Sequence, residues 1–333
     1  MKFLTTNLPY PPEILCGSCG LKQAGKSLFA REQGFAIVKE EGGEILWLET
    51  EEPNDFMFEV EVEKDNELGL DAHPAWNKAF AKKYGVEAVI NFQYLPDTVS
   101  MMSYFGINGK VIIEEAPEVK VKELKPKKGE SEEAFKERQA EADKKAEEKQ
   151  KGAKLEFKMI KVDTDNSSFA KMLKEHDIRY IVVDSITVFN TLIIGGRQNF
   201  SNRSQVEGMF FETLKALVHK RCQETKKPIY IFTTNHLAHN PTDPFTFKMD
   251  EKFLIEKGGS IIGHEHKVYF GFKKFLRPHG GREIVVMRYP NIPEFSIVIP
   301  RLITDEGFKV VTRRELEEAS EEQKAEAKEA KAG

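Results

Sequence analysis

EILCGSCGLKQAGKSLFA, residues 13–30, decides how this chain folds. It opens with a short apolar, β-rich run and closes on the start of a helix-length segment. The stretch therefore reads as a strand, a tight glycine-bearing turn and a helix. Inside the turn, Gly20-Leu21-Lys22-Gln23-Ala24-Gly25-Lys26-Ser27 satisfies the spacing G-x-x-x-x-G-K-S, and Leu28 follows in the helix. Glycines let such a loop curl until its backbone N–H groups point inward at phosphates, and the helix N-terminus adds favourable potential. In this pattern Lys26 reaches the β- and γ-phosphates of a nucleotide, and the Ser27 hydroxyl ligates magnesium.

The remaining sequence alternates in the same manner. Runs at 13–16, 44–48, 180–184 and 229–233 are short and apolar, as strands buried on both faces of a parallel sheet should be. Helix-length segments lie at 25–34, 168–176 and 203–225. After residue 258 the texture changes to KVYFGFKK, REIVVMRY and EFSIVIPRL, separated by RPHGG and PNIP. That is the signature of antiparallel strands and turns. The fold class expected is α/β: a mostly parallel central sheet with an antiparallel C-terminal extension.

Composition bounds the rest. With 333 residues, 40% of them hydrophobic, the chain can bury a sizeable core, and a formal charge of −4 excludes a polycation. Cys16, Cys19 and Cys222 are too few for a disulfide framework, and Cys16-x-x-Cys19 has no second pair to complete a zinc site. No apolar run reaches the length of a membrane span, so a soluble, cytoplasmic protein with no membrane partner is expected. Charge is concentrated in residues 118–154, where more than half the side chains are Asp, Glu, Lys or Arg. Such a segment cannot bury a core; it reads as a solvated helical arm or a disordered spacer. The domain division expected is a discontinuous core, 1–115 and 156–312, an inserted charged arm at 116–155, and a charged tail at 313–333 that is frayed or helical.

A magnesium site beside the loop needs an acid from the end of a neighbouring strand, and RYIVVDSITVF supplies Asp184. Water attack on a γ-phosphate needs a group that orients the nucleophile. Candidates follow the second strand in EILWLETEEPNDF. Alternation puts Glu49 and Glu51 on one side, and Glu51 lies where ligands bind in open α/β sheets, so Glu51 ranks first and Glu52 second. A further strand, PIYIFTTNHLAH, ends in Thr234-Asn235-His236. His236 or Asn235 there would sense the γ-phosphate; the alternative is a histidine in a polar loop. ATP and Mg2+ are the cofactors these residues imply.

In order and content these elements resemble the RecA/RadA recombinase family of P-loop ATPases. GEILWLETEE is similar to the family's second strand and catalytic glutamate, which falls on Glu51, and VVDSITVF to its magnesium aspartate strand, which falls on Asp184. FNTLIIGGRQNFSNRSQVEGMFFETLKALV resembles the first DNA-binding loop and the helix after it. IFTTNHLAHNP resembles the strand that ends in Thr-Asn-Gln, with His236 in the place of the glutamine, and GGSIIGHEHKVYFGFKK the segment that closes the second DNA-binding loop. REIVVMRYPNIPEFSIVIPRLITDEGF matches the last strands, including a Pro-x-x-Pro-Glu turn that in the family approaches a neighbouring subunit's nucleotide. Arg288 replaces an aspartate in the nucleotide cap. The doublet Glu51-Glu52 before Pro53 looks more like the KaiC branch. The likeness implies a RecA-like P-loop ATPase core and a homo-oligomer, ring or short filament, with nucleotide at the subunit interface. A RadA paralogue or RadC-like archaeal ATPase fits better than the recombinase itself.

Two loops bear on DNA. Residues 237–257 interleave Phe245, Phe247 and Phe253 with Lys248, Lys252 and Lys257, a pairing in which cations track a single strand while aromatic faces stack its bases. Acidic residues dilute that charge, and the aromatics would equally pack on a neighbouring subunit. The other loop, 195–203, contributes Arg197 and Arg203 with glycines for close backbone approach, or it is simply solvated before a helix. Two functions follow: an ATP-hydrolysing protein acting on single-stranded DNA in recombination or repair, or a KaiC-like regulatory ATPase whose charged arm docks a protein partner.

Overall fold

In a computed structural model of the protein, residues 2–3, 8–20, 23–50, 74–114, 135, 138–139, 154–190, 200–238, 255–256, 264–275, 278 and 280–332 are described. β1 (Leu15–Gly20) leads into α1 (Lys26–Glu41) and β2 (Glu44–Glu49). Next come α2 (Pro74–Tyr84), β3 (Ile90–Tyr94), α3 (Thr98–Tyr104), β4 (Ile107–Glu114), β5 (Lys154–Val162), α4 (Ser168–Glu175) and β6 (Ile178–Asp184). A 3-10 turn (Ile186–Asn190) precedes α5 (Phe200–Thr225), β7 (Tyr230–Ala238) and β8 (Ile255–Glu256). The chain closes with β9 (Val268–Lys274), β10 (Gly281–Arg288), β11 (Val298–Thr304), β12 (Gly307–Val310) and α6 (Arg313–Ala332).

One ten-stranded sheet carries the molecule, in the order β12-β11-β10-β9-β1-β7-β6-β2-β3, with β8 paired to β7. From β9 to β3 every pairing is parallel, and β10, β11 and β12 add the antiparallel extension. The central strands β2 and β6 are largely apolar because both of their faces are covered. Ile45, Trp47, Tyr180, Val182 and Phe232 pack toward α1, whose Phe29, Ala30 and Ile37 complete that layer. Leu46, Leu48, Ile181, Val183 and Ile231 face the other layer with Phe210, Leu214 and Val218 of α5. Burying one such Leu, Ile or Phe side chain contributes about 1.5–3 kcal/mol, so the two layers supply most of the drive to fold.

Register then aligns the strand ends. Gly20 of β1 pairs with His236 of β7, and Glu49 of β2 with Asp184 of β6, so four carboxyl-terminal ends share one edge. In open parallel sheets this is the edge where ligands bind.

Several elements depart from the sequence reading. α1 runs on to Glu41 rather than ending near Gly34. Gly34 is a packing residue: a Cβ there would come within 2.8 Å of Ile45 Cδ1, so the glycine lets helix and sheet approach. β11 starts at Val298, because Pro293 and Phe295 form a turn first: Ser296 Oγ donates to Pro293 O at 2.6 Å, and Phe295 adopts φ 58. Beyond the strands anticipated, β4 and β5 form an antiparallel ribbon, paired from Ile107↔Val162 to Glu114↔Lys154. Of the charged arm, residues 135, 138 and 139 are helical, with the Arg138 guanidinium 5.6 Å from the Phe135 ring centroid; the rest of 115–153 lies outside the described residues. The tail is the helix α6.

Candidate functional site

The loop between β1 and α1 forms the floor of the site. Gly25 is the N-cap of α1 at φ 98, a left-handed conformation that glycine adopts without steric cost. No side chain caps this helix, and its first turn carries no acid, so the N-terminal donors keep their affinity for an anion. Ser27 and Leu28 stand in that first turn, half-buried. Lys26 is 5% exposed, and its Nζ donates to Gly20 O at 3.2 Å, closing the loop on itself. Leu21 and Lys22 lie outside the described residues. These features fit a phosphate chain, and a lysine resting on a main-chain carbonyl can exchange it for a stronger, anionic acceptor.

The extension of the sheet braces the loop from outside. Arg282 donates from Nε to Ala24 O and from Nη2 to Gln23 O, both at 2.9 Å, while Lys274 Nζ donates to Gln23 Oε1 at 3.2 Å. Lys274 pairs with Arg282 and Arg282 with Arg301 across β9, β10 and β11, so three cations occupy one row. Desolvation draws both guanidiniums below their ordinary pKa. Their summed charge favours an anion beside the loop. Arg282 escaped the sequence reading. Its signal was a charged residue on the strand face of Ile284 and Val286, both fully buried.

Asp184, at the end of β6, is 6% exposed, and the Thr234 hydroxyl of β7 donates to its Oδ1. Thr50, the residue after β2, donates its N–H to Asp184 O at 2.8 Å, and the Asp184–Ser185 peptide is cis. Glu49 is held in place: its Oε1 accepts from Thr50 N at 3.2 Å and its Oε2 from Trp47 Nε1 at 3.1 Å. Glu51 and Glu52 lie outside the described residues, immediately after this anchored stretch.

At the end of β7, Thr233, Thr234 and Asn235 are fully buried. The His236 N–H donates to Asn235 Oδ1 at 2.9 Å, Asn235 Nδ2 donates to the Tyr269 hydroxyl at 3.4 Å, and Thr233 Oγ1 meets His266 Nε2 at 2.7 Å. β8 pairs with Leu237 and Ala238 of β7, and Phe245, Phe247, Lys248, Lys252 and Arg197 lie outside the described residues. Arg203 falls in the opening turn of α5. Arg288 Nε lies 3.7 Å from Glu294 Oε1, an ion pair within the turn of 288–294. The structure thus gathers Gly20, Lys26, Ser27, Asp184, Thr234 and His236 at one sheet edge. Among the described residues no cluster of three or more His, Cys, Asp or Glu forms a ready metal site, and no helix is long and apolar enough to cross a membrane.

The Rad51 family model matches residues 161–309, from the end of β5 into β12. Domains of the Rad51 and RecA families are ATPases that bind ATP with Mg2+, and Rad51 proteins generally oligomerise on single-stranded DNA. No curated protein matches the chain.

Proposed function

We propose, from the likeness of residues 161–309 to the Rad51 family, that this RecA/RadA-like chain is a magnesium-dependent ATPase acting on single-stranded DNA in recombination or repair, as a RadA paralogue or accessory factor. The observation that carries this reading is the convergence of Lys26, Asp184 and Thr234 at the edge set by the Gly20↔His236 and Glu49↔Asp184 registers. Lys26 and the α1 N-terminus place positive potential against the phosphates of ATP. Ser27 and Asp184 would hold Mg2+, which when bound neutralises charge on the phosphates. The Thr234 hydroxyl orients the Asp184 carboxylate, and Glu51, or in its place Glu52, orients the attacking water. The 290–294 turn belongs beside a neighbouring subunit's nucleotide in a homo-oligomer, and the loops holding Arg197, Arg203, Phe245, Phe247, Lys248 and Lys252 line the DNA path.

A KaiC-like regulatory ATPase is the second reading, with the charged segment between the paired strands β4 and β5 as the docking element for a protein partner. ATP turnover measured with Mg2+, with and without single-stranded DNA, tests both. Turnover that DNA stimulates supports the repair function; turnover indifferent to DNA favours the regulatory one. Absence of any turnover would sink the ATPase reading.

A further inference from the structure

Arg282 is 6% exposed, and burying a cation is costly unless its donors are satisfied. Its acceptors are main-chain carbonyls: Ala24 O at 2.9 Å, Gln23 O at 2.9 Å and Gly281 O at 2.8 Å. Two of these three belong to the loop that precedes α1.

Peptide planarity turns this grip into a statement about the loop's other side. In a trans peptide the C=O of one residue and the N–H of the next point in opposite directions. Holding the carbonyls of Gln23 and Ala24 against the guanidinium therefore aims the N–H groups of Ala24 and Gly25 away from Arg282. Hydrogen bonding to a cation also polarises both peptides, which strengthens those two N–H groups as donors. Gly25 is the N-cap of α1, so the aimed amides run directly into the helix N-terminus.

We infer that Arg282 is a positioning residue of the phosphate site: it grips the outer carbonyls of Gln23 and Ala24 so that the amides of Ala24 and Gly25 are presented to the phosphates of a nucleoside di- or triphosphate. The inference rests on the nucleotide reading proposed above. The rigid guanidinium fork reaches the two carbonyls from separate nitrogens, Nε and Nη2, so lysine at this position keeps the charge and loses part of the grip. Lys274, bonded to the Gln23 side chain, leaves both main-chain carbonyls to Arg282.

The test uses the full chain and a fluorescent ADP analogue, with inorganic pyrophosphate as competitor. Arg282→Gln, Arg282→Lys and Lys26→Ala are compared with the parent, and the thermal transition of each is recorded without ligand. Arg282→Gln should weaken both the analogue and pyrophosphate by about tenfold or more, with Arg282→Lys in between, because the amides that lose their alignment are those presented to phosphate. A residue that only supported the fold would lower the thermal transition and leave pyrophosphate affinity unchanged in the folded protein. That result would overturn the inference. Should the glutamine variant fail to fold, Arg282→Lys decides alone: several-fold weaker pyrophosphate binding supports the role, and unchanged binding refutes it. If Lys26→Ala abolishes binding while both Arg282 variants bind like the parent, only the positioning role falls. If analogue and pyrophosphate bind none of the four proteins, the nucleotide reading falls with it.

Discussion

Thr50 and Ser185 are bonded to each other twice: the Thr50 hydroxyl donates to Ser185 O at 2.8 Å and accepts from Ser185 N at 2.8 Å. Both residues are buried, so the pair ties the end of β2 to the end of β6 in a place water does not reach. It sets the departure of the chain toward Glu51 against the residue that follows Asp184.

Thr50→Val keeps the shape and removes the hydroxyl, leaving two buried main-chain groups without it. The expected loss is about 1–3 kcal/mol of stability, read from the denaturant midpoint at unchanged slope. Thr50→Ser keeps the hydroxyl and should lose clearly less. Equal losses in the two variants would mean that the methyl group, and not the hydrogen bonds, matters here.

Lys26→Ala and Asp184→Asn should each lower Mg-ATP turnover by about 10² to 10³, the usual effect of removing one electrostatic contact to a transition state. Glu51→Gln should preserve ATP binding and slow turnover. Glu49→Gln serves as the comparison, since its carboxylate is engaged by Trp47 and Thr50. Unchanged turnover in Lys26→Ala would remove the site assignment, and an effect of Glu52→Gln alone would reverse the order of the two glutamates.

Alkaline pH should destabilise the fold. Burial pushes the Cys16 thiol well above 9.0 and the Cys222 thiol up to about 11, and it pushes the Tyr10 and Tyr180 phenols well above 10.0. Raised folded values mean that the native state keeps protons the unfolded chain releases. This stability is therefore complete below about pH 9 and is lost as pH climbs toward the folded values. Urea midpoints measured at increasing pH should fall over that window. A flat profile would show that these groups ionise without unfolding.

If the two loops bind single-stranded DNA, affinity should be salt-sensitive, with each neutralised phosphate adding about −0.7 to the log-log slope. Replacing Phe245 and Phe247 with alanine should weaken binding at unchanged slope, because stacking releases no counterions, whereas replacing Lys248 and Lys252 should reduce the slope. Loss of affinity with the same slope change in both variants would contradict the division of labour.

The strand, loop and helix at 13–30, the Asp184 strand and the polar end of β7 were legible in the sequence. Parallel strands buried on both faces stand out as unbroken apolar runs. The full length of α1 is hidden in the sequence, since its buried Arg31, Glu32 and Gln33 blur any amphipathic stripe. Glu32 accepts from Lys83 Nζ at 2.6 Å, Tyr84 OH at 2.9 Å and Phe308 N at 2.9 Å, three partners on α2 and β12 that only the tertiary fold brings together. α3 had a readable local signal, the capping box in which Asp97 Oδ1 accepts from Ser100 N at 2.8 Å. The β4–β5 pairing had none, since no periodicity names a partner strand on the far side of a long charged insertion.

That ribbon makes the length of the insertion nearly free to vary. Glu114 and Lys154 are register partners, so the sequence between them joins two strand ends that already lie side by side. With those ends paired, doubling the length of a flexible connection between them costs only about 0.6 kcal/mol of closure entropy. The segment is in effect a cassette: its length can change while the β4–β5 pairing stays in register.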